Sequence, residues 1–214
     1  MQFIRRYNWL LPMLSFSVVL LLMRIIHTES IHFLFIPWNL FLAVLPLVFS
    51  HWLQKTTDKL SAWCMFGLWL LFFPNAMYIV TDLFHLHESD DVPQWFDLLL
   101  LFSAALNGVL MGMVSLYNIE QFLRKKMTAR YIHLALFSMF LLCGYGIYLG
   151  RYLRWNSWDL FTQPFGLLLT IAQNVRHPRH NIEIWLLTGL FATWLYLLYR
   201  YASKVVVAGV VKQV

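Results

Sequence analysis

FFPNAMYIVTDLFHLHESDD, residues Phe72–Asp91, begins as a run suited to hydrocarbon and ends among carboxylates and imidazoles. Followed backwards from Val80, the apolar run reaches Leu60, long enough to cross a hydrocarbon layer of roughly 30 Å at about 1.5 Å per residue. Four further stretches have the same character: Trp9 to Ile26, Ile31 to Leu53, Leu98 to Ile119 and Tyr131 to Gly150. A sixth, Ile184 to Tyr199, is shorter and extends by a turn at either end. Backbone groups in lipid must bond within their own segment, and the alternation of a barrel strand is absent, so these segments are expected to be helices. The expected fold is an all-α polytopic transmembrane bundle of six spans, treated as one membrane domain over residues 1–214.

Composition agrees. The chain is 60% hydrophobic and 12% charged, with a mean hydropathy of +0.63. Soluble domains carry roughly 25% charged residues, so both departures point to lipid. The net charge of +6 is spread over short loops between apolar runs, where Lys and Arg orient a chain in the bilayer. It forms no continuous basic stripe, which sets nucleic acid aside as a partner and leaves the bilayer. Cys64 and Cys143 lie inside apolar runs without ligand spacing, which implies neither a disulfide nor a zinc clip. Arg5 and Arg6 ahead of Trp9 imitate a signal peptide, but HTESIHF lacks a small-x-small cleavage pattern, so a retained first helix is expected.

LFTQPFGLLLTIAQNV, Leu160 to Val175, is the doubtful piece. Phe161, Phe165, Leu168, Leu169 and Ala172 share one helical face, which suits a helix lying in or re-entering the interface; a seventh span is the alternative. With six spans and a cytoplasmic N-terminus, eleven of the sixteen Lys and Arg fall inside. The other five, Arg24, Arg151, Arg154, Arg176 and Arg179, fall outside, as do His27, His32, His85, His87, His177 and His180. Trp9, Trp52 and Trp63 flank inner edges, and Trp95, Trp155, Trp158 and Trp185 outer ones.

In span three, Asn75, Tyr78, Asp82 and His85 recur at helical spacing, provided the helix continues past Val80. Polar groups are costly in lipid, so this stripe is expected to face protein or water. Asp82 and His85, with Asp97 at the start of span four, are the candidate general acid–base groups. Asp82, His85 and His87 are also a weak candidate metal set, since carboxylate and imidazole are ligands of zinc, manganese and non-haem iron. The ordinary reading of the same residues is a solvated acidic loop. On the same side, Arg151 and Arg154, followed by Asn156 and Asp159, join Asn75 and Tyr78 as the candidate substrate-binding groups, because guanidiniums grip phosphate or carboxylate in a bidentate way. Their alternatives are anchoring to lipid phosphates, or ion pairs with Asp82 or Asp97. Ala104, Gly108 and Gly112 in span four, and Gly146 and Gly150 in span five, allow close backbone approach, and Asn107 and Ser115 offer interhelical hydrogen bonds.

The strings WLLFFPNAMYIVTDLFHL, WFD, NGVLMGMVSLYNIE and YLGRYLRWNSWDL resemble a family of bacterial multipass membrane proteins catalogued as domain of unknown function 1361. The resemblance covers the chain from span two to the last helix. Met77 stands where the family carries Pro after Pro-Asn-Ala, which implies a less bent helix. A bacterial cytoplasmic-membrane setting is implied; no activity, cofactor or catalytic residue comes with it. Three functions stay open: a solute transporter, an outer-leaflet enzyme acting on an anionic lipid headgroup or envelope precursor, and a non-catalytic assembly protein. An enzyme at the interface predicts sites at span ends, a transporter predicts charge at mid-depth, and an assembly protein predicts that polar substitutions lower abundance. Oligomeric state is not legible.

Overall fold

A computed structural model of the chain describes residues 2–86, 92–179 and 181–211, and among them there is no strand. The helices are α1 (Gln2–Tyr7), the 3₁₀ segment η1 (Asn8–Leu10), α2 (Leu11–Thr28), α3 (Phe35–Lys55), α4 (Lys59–Tyr78), the 3₁₀ segment η2 (Ile79–His85), α5 (Gln94–Arg124), α6 (Ala129–Leu153), α7 (Asp159–Thr162), α8 (Pro164–Arg176) and α9 (Ile182–Val211). Six of them, counting continuous α and 3₁₀ pieces together, are long and apolar enough to cross a membrane: Arg5–Thr28, Phe35–Lys55, Lys59–His85, Gln94–Arg124, Ala129–Leu153 and Ile182–Ser203. Each contains the core of one of the six expected spans. The chain divides into two compact units, Met1–Phe122 and Leu123–Val214.

In the first unit, α3 and α4 form a hairpin. Asp58 caps α4, its carboxylate accepting the Ser61 N–H at 2.8 Å and so satisfying one of the donors that every helix start leaves bare. The core combines Phe33, Ile36, Leu40, Ala43 and Leu47 with Ala76 and Ile79 and with Leu100, Leu101, Ala104 and Met111 of α5. Gly108 lets α5 approach α4 and η2: a Cβ there would lie 2.7 Å from the Ala76 carbonyl oxygen. At Gly112 a Cβ would lie 2.5 Å from the Met77 methyl. The small-residue stripe of span four therefore serves packing. Trp69 donates its indole N–H to Ser115 at 3.1 Å, and Asn107 donates to Ser17 and to the Met13 carbonyl, so both residues make the interhelical bonds expected of them.

In the second unit α6 packs on α9. Close approach occurs at Gly144, where a Cβ would lie 2.7 Å from the Thr188 carbonyl oxygen, and Tyr145 stacks on Trp185 at 5.8 Å. The doubtful stretch is α7 followed by α8. Its 13 residues in α8 rise only about 20 Å, too short to cross a layer of roughly 30 Å. Phe161, Phe165, Leu168, Leu169 and Ala172 are all exposed, as an interfacial helix requires where acyl chains cover it. On its other side Asn174 is buried and donates to the Tyr145 hydroxyl at 3.0 Å, which ties α8 to α6.

Candidate functional site

Span three does continue past Val80, with a change of winding. Its α-helix ends at Tyr78 and η2 carries the chain to His85, Thr81 bonding back to the Tyr78 carbonyl at 2.7 Å. A 3₁₀-helix has three residues per turn, so residues three apart eclipse and Asp82 and His85 fall on one edge. Asp82 is 2% exposed and accepts a 2.7 Å bond from Asn39 Nδ2 of α3. His85 lies with its ring 4.8 Å from that of Phe35. Asn75 bonds back to the Phe72 carbonyl at 3.1 Å, and Tyr78 is half-buried one turn further on.

Asp97, at the start of α5, is engaged by a residue of its own unit. Arg24 grips it through two bonds, Nε to Oδ1 at 2.7 Å and Nη2 to Oδ2 at 3.0 Å, with side chains 8% and 4% exposed. The guanidinium also lies 4.1 Å from the centre of the Phe33 ring. Phe33 in turn contacts Phe35 at 5.6 Å, and Phe35 contacts His85. A chain of aromatic contacts thus runs from the Arg24–Asp97 pair through Phe33 and Phe35 to His85, one 3₁₀ turn after Asp82. Beside them opens a groove of about 540 Å³, lined by Met23, Arg24, Ile26, His27, Val92, Pro93 and Phe96. Its walls are apolar, and its polar lining is one guanidinium and one imidazole. The bond geometry leaves Arg24 Nη1 beyond the edge that grips Asp97.

Arg151 and Arg154 belong to the second unit. The α6 helix stops at Leu153, and Arg154 takes a left-handed conformation, φ 57°, so the shared helical face expected of the two arginines ends before Arg154. Asp159 is held locally: it accepts from the Asn156 N–H at 2.7 Å, the Asn156 amide at 3.3 Å and the Thr162 hydroxyl at 3.1 Å. These donors, the Asn156 N–H foremost, hold its carboxyl below the usual carboxylate range. Asn156 and Asp159 therefore form a turn that starts α7. No group of three or more metal-binding side chains occurs among the described residues. His87 of the candidate metal set, with Glu88, Asp90, Asp91 and His180, lies outside the described residues.

The opposite end of the first unit holds a polar network that sequence reading missed. Asn118 of α5 donates to the Tyr7 hydroxyl at 3.0 Å and to Ser50 at 3.1 Å, and accepts from Gln54 at 3.1 Å and Arg6 at 3.5 Å. Tyr7 also pairs with His51 at 3.4 Å. The signal was present in span two, where Ser50, His51 and Gln54 interrupt an apolar run on one helical side. Asn39 was likewise missed, although a lone amide in FIPWNLFLAV has to find a partner in lipid.

No curated protein and no solved structure matches the chain. One family model does, over residues 38–198, a stretch that holds Asn39, Asp82, Asp97 and Asn118. The chain belongs to the DUF1361 family, proteins of unknown function.

Proposed function

We propose that this protein handles an anionic amphiphile, a lipid or lipid-linked envelope precursor, at the outer face of a bacterial cytoplasmic membrane, with its N-terminus in the cytoplasm. The observation that supports this reading is the groove beside Arg24. Apolar walls from Met23, Ile26, Val92 and Phe96 suit an acyl or polyprenyl chain. The Nη1 edge of Arg24 and the exposed imidazole of His27 suit a phosphate or carboxylate head. Asp97 orients Arg24, so the cation is presented at little further entropic cost. Asp82, buried and aligned by Asn39, is the acid–base group closest in kind to what headgroup chemistry needs. The ionisable groups of this unit lie at helix ends, which favours an interfacial site over a transport path with charge at mid-depth.

The test compares the lipids and envelope precursors of a strain lacking the protein with strains complemented by wild type, Asp82→Asn or His27→Glu. The expected result is an anionic amphiphile that accumulates without the protein and with either variant, at near-normal protein abundance. Identical profiles in all four strains would sink the proposal. Variants that fail only because the protein disappears from the membrane would move the role of Asp82 to assembly.

A further inference from the structure

The network at the other end of the first unit has a fixed direction, and that direction starts at a charge. Arginine has donors only. Arg6 Nη1 donates to Gln54 Oε1 at 3.1 Å, which turns the Gln54 NH₂ toward Asn118. Asn118 Oδ1 must then accept, from Gln54 Nε2 and from Arg6 Nη2, and its NH₂ must donate to Tyr7 and Ser50. Ser50 passes its proton to the Leu47 carbonyl at 2.9 Å. Tyr7 already accepts from Asn118, so its O–H points at His51 Nδ1. With the Tyr7 O–H donated in this way, the imidazole is neutral and carries its proton on Nε2. That atom is buried and has no partner among the described residues.

We propose that His51 is a proton-operated latch for the N-terminal helix α1. In the neutral state it accepts the Tyr7 O–H and, with Phe3 edge-on at 5.1 Å, holds α1 against α3 and α5. A second proton, taken from solvent, forms an N–H bond at Nδ1 and leaves imidazolium. Two donors then face each other. The relay cannot reverse to relieve this, because the Asn118 NH₂ has no acceptor to offer Tyr7. The Tyr7–His51 contact therefore opens and α1 is released. The charged and titratable groups acting on the ring are Arg6 and Tyr7 from α1 and Lys55 from α3. From α5, Asn118 bonds to Tyr7 and to Ser50, the residue before His51; Glu120, two residues on, lies about 200° round the helix from it.

The experiment uses the full chain in lipid nanodiscs. Selective ¹⁵N-histidine labelling, with His51 assigned by its loss in His51→Phe, reads the tautomer at about pH 8. The Nε2–H form is expected, and an Nδ1–H form would overturn the proposal. Spin labels at the exposed positions Arg5 and Thr57, in a background without Cys64 and Cys143, then report α1 against the α3–α4 loop. Lowering the pH from about 8 to about 5 should broaden the distance distribution in wild type and leave it unchanged in His51→Phe and Tyr7→Phe, which keep their rings. Invariance in the wild type, or the same broadening in either variant, refutes the latch.

Discussion

Removing one member of the Arg24–Asp97 pair should be far more damaging than removing both. Two charge-assisted bonds at 2.7 and 3.0 Å join side chains that are 8% and 4% exposed. Truncating one partner strands the other charge away from water, at a cost of about 3–5 kcal/mol, whereas an exposed pair would cost about 0.2–1 kcal/mol. Replacing both by apolar groups of similar volume removes the stranded charge, and such swaps range from neutral to stabilising. Arg24→Met also loses the contact with Phe33, worth about 0.5–2 kcal/mol, so it should exceed Asp97→Leu. Equilibrium unfolding by sodium dodecyl sulfate in mixed micelles, run on wild type, both single variants and Arg24→Met/Asp97→Leu, measures the cycle. Single losses below about 1 kcal/mol, or a double variant as unstable as the sum of the singles, would refute the buried-pair reasoning.

Three further outcomes follow from the packing and the caps. Gly108→Ala should destabilise by about 1–3 kcal/mol, because its Cβ meets the Ala76 carbonyl, whereas Gly67→Ala, with nothing within 4 Å, should not destabilise; thermal denaturation in detergent separates the two. Ser115→Ala leaves the buried Trp69 N–H without its acceptor and should cost about 0.6–1.7 kcal/mol, read by the same assay and by a shift in Trp emission. Asp58 has its carboxyl held below the ordinary range, chiefly by the Ser61 N–H, so its capping contribution is complete above the unfolded-state pKa and is lost as pH falls through the lower folded-state value. Asp58→Ala should therefore lower the melting temperature at neutral pH, and the gap to wild type should close in acid.

The spans were legible because length and hydropathy report the match between a segment and the bilayer, and that match does not depend on neighbours. The interfacial character of α8 was legible for the same reason: its apolar residues recur at helical spacing over too few turns to cross. Pairings were not. Arg24 and Asp97 are 73 positions apart, and helical periodicity says which face a residue occupies but not which helix lies opposite. Asp97 was thus a candidate catalyst by sequence and is one half of an internal ion pair in the fold. Arg154 shows another limit, since the end of α6 depends on a left-handed turn that a non-glycine residue rarely takes. The polar network around Asn118 escaped notice because its members come from three helices, and the polar side that Ser50, His51 and Gln54 mark on one of them does not name the helices that meet it.

The change of winding at Tyr78 also alters reach. The α4 helix, with 20 residues, already rises about 30 Å, the thickness of the hydrocarbon layer. The seven residues of η2 add about 14 Å, where α-helical winding would add about 10.5 Å. Asp82, the fourth residue of η2, is carried about 8 Å beyond α4. The pitch of the backbone alone, without an added residue, carries this carboxylate past the end of the α-helical span, to the position where Asn39 of α3 meets it. Restoring α-helical winding would draw it back by about 2 Å, enough to break a 2.7 Å hydrogen bond to a partner fixed on another helix.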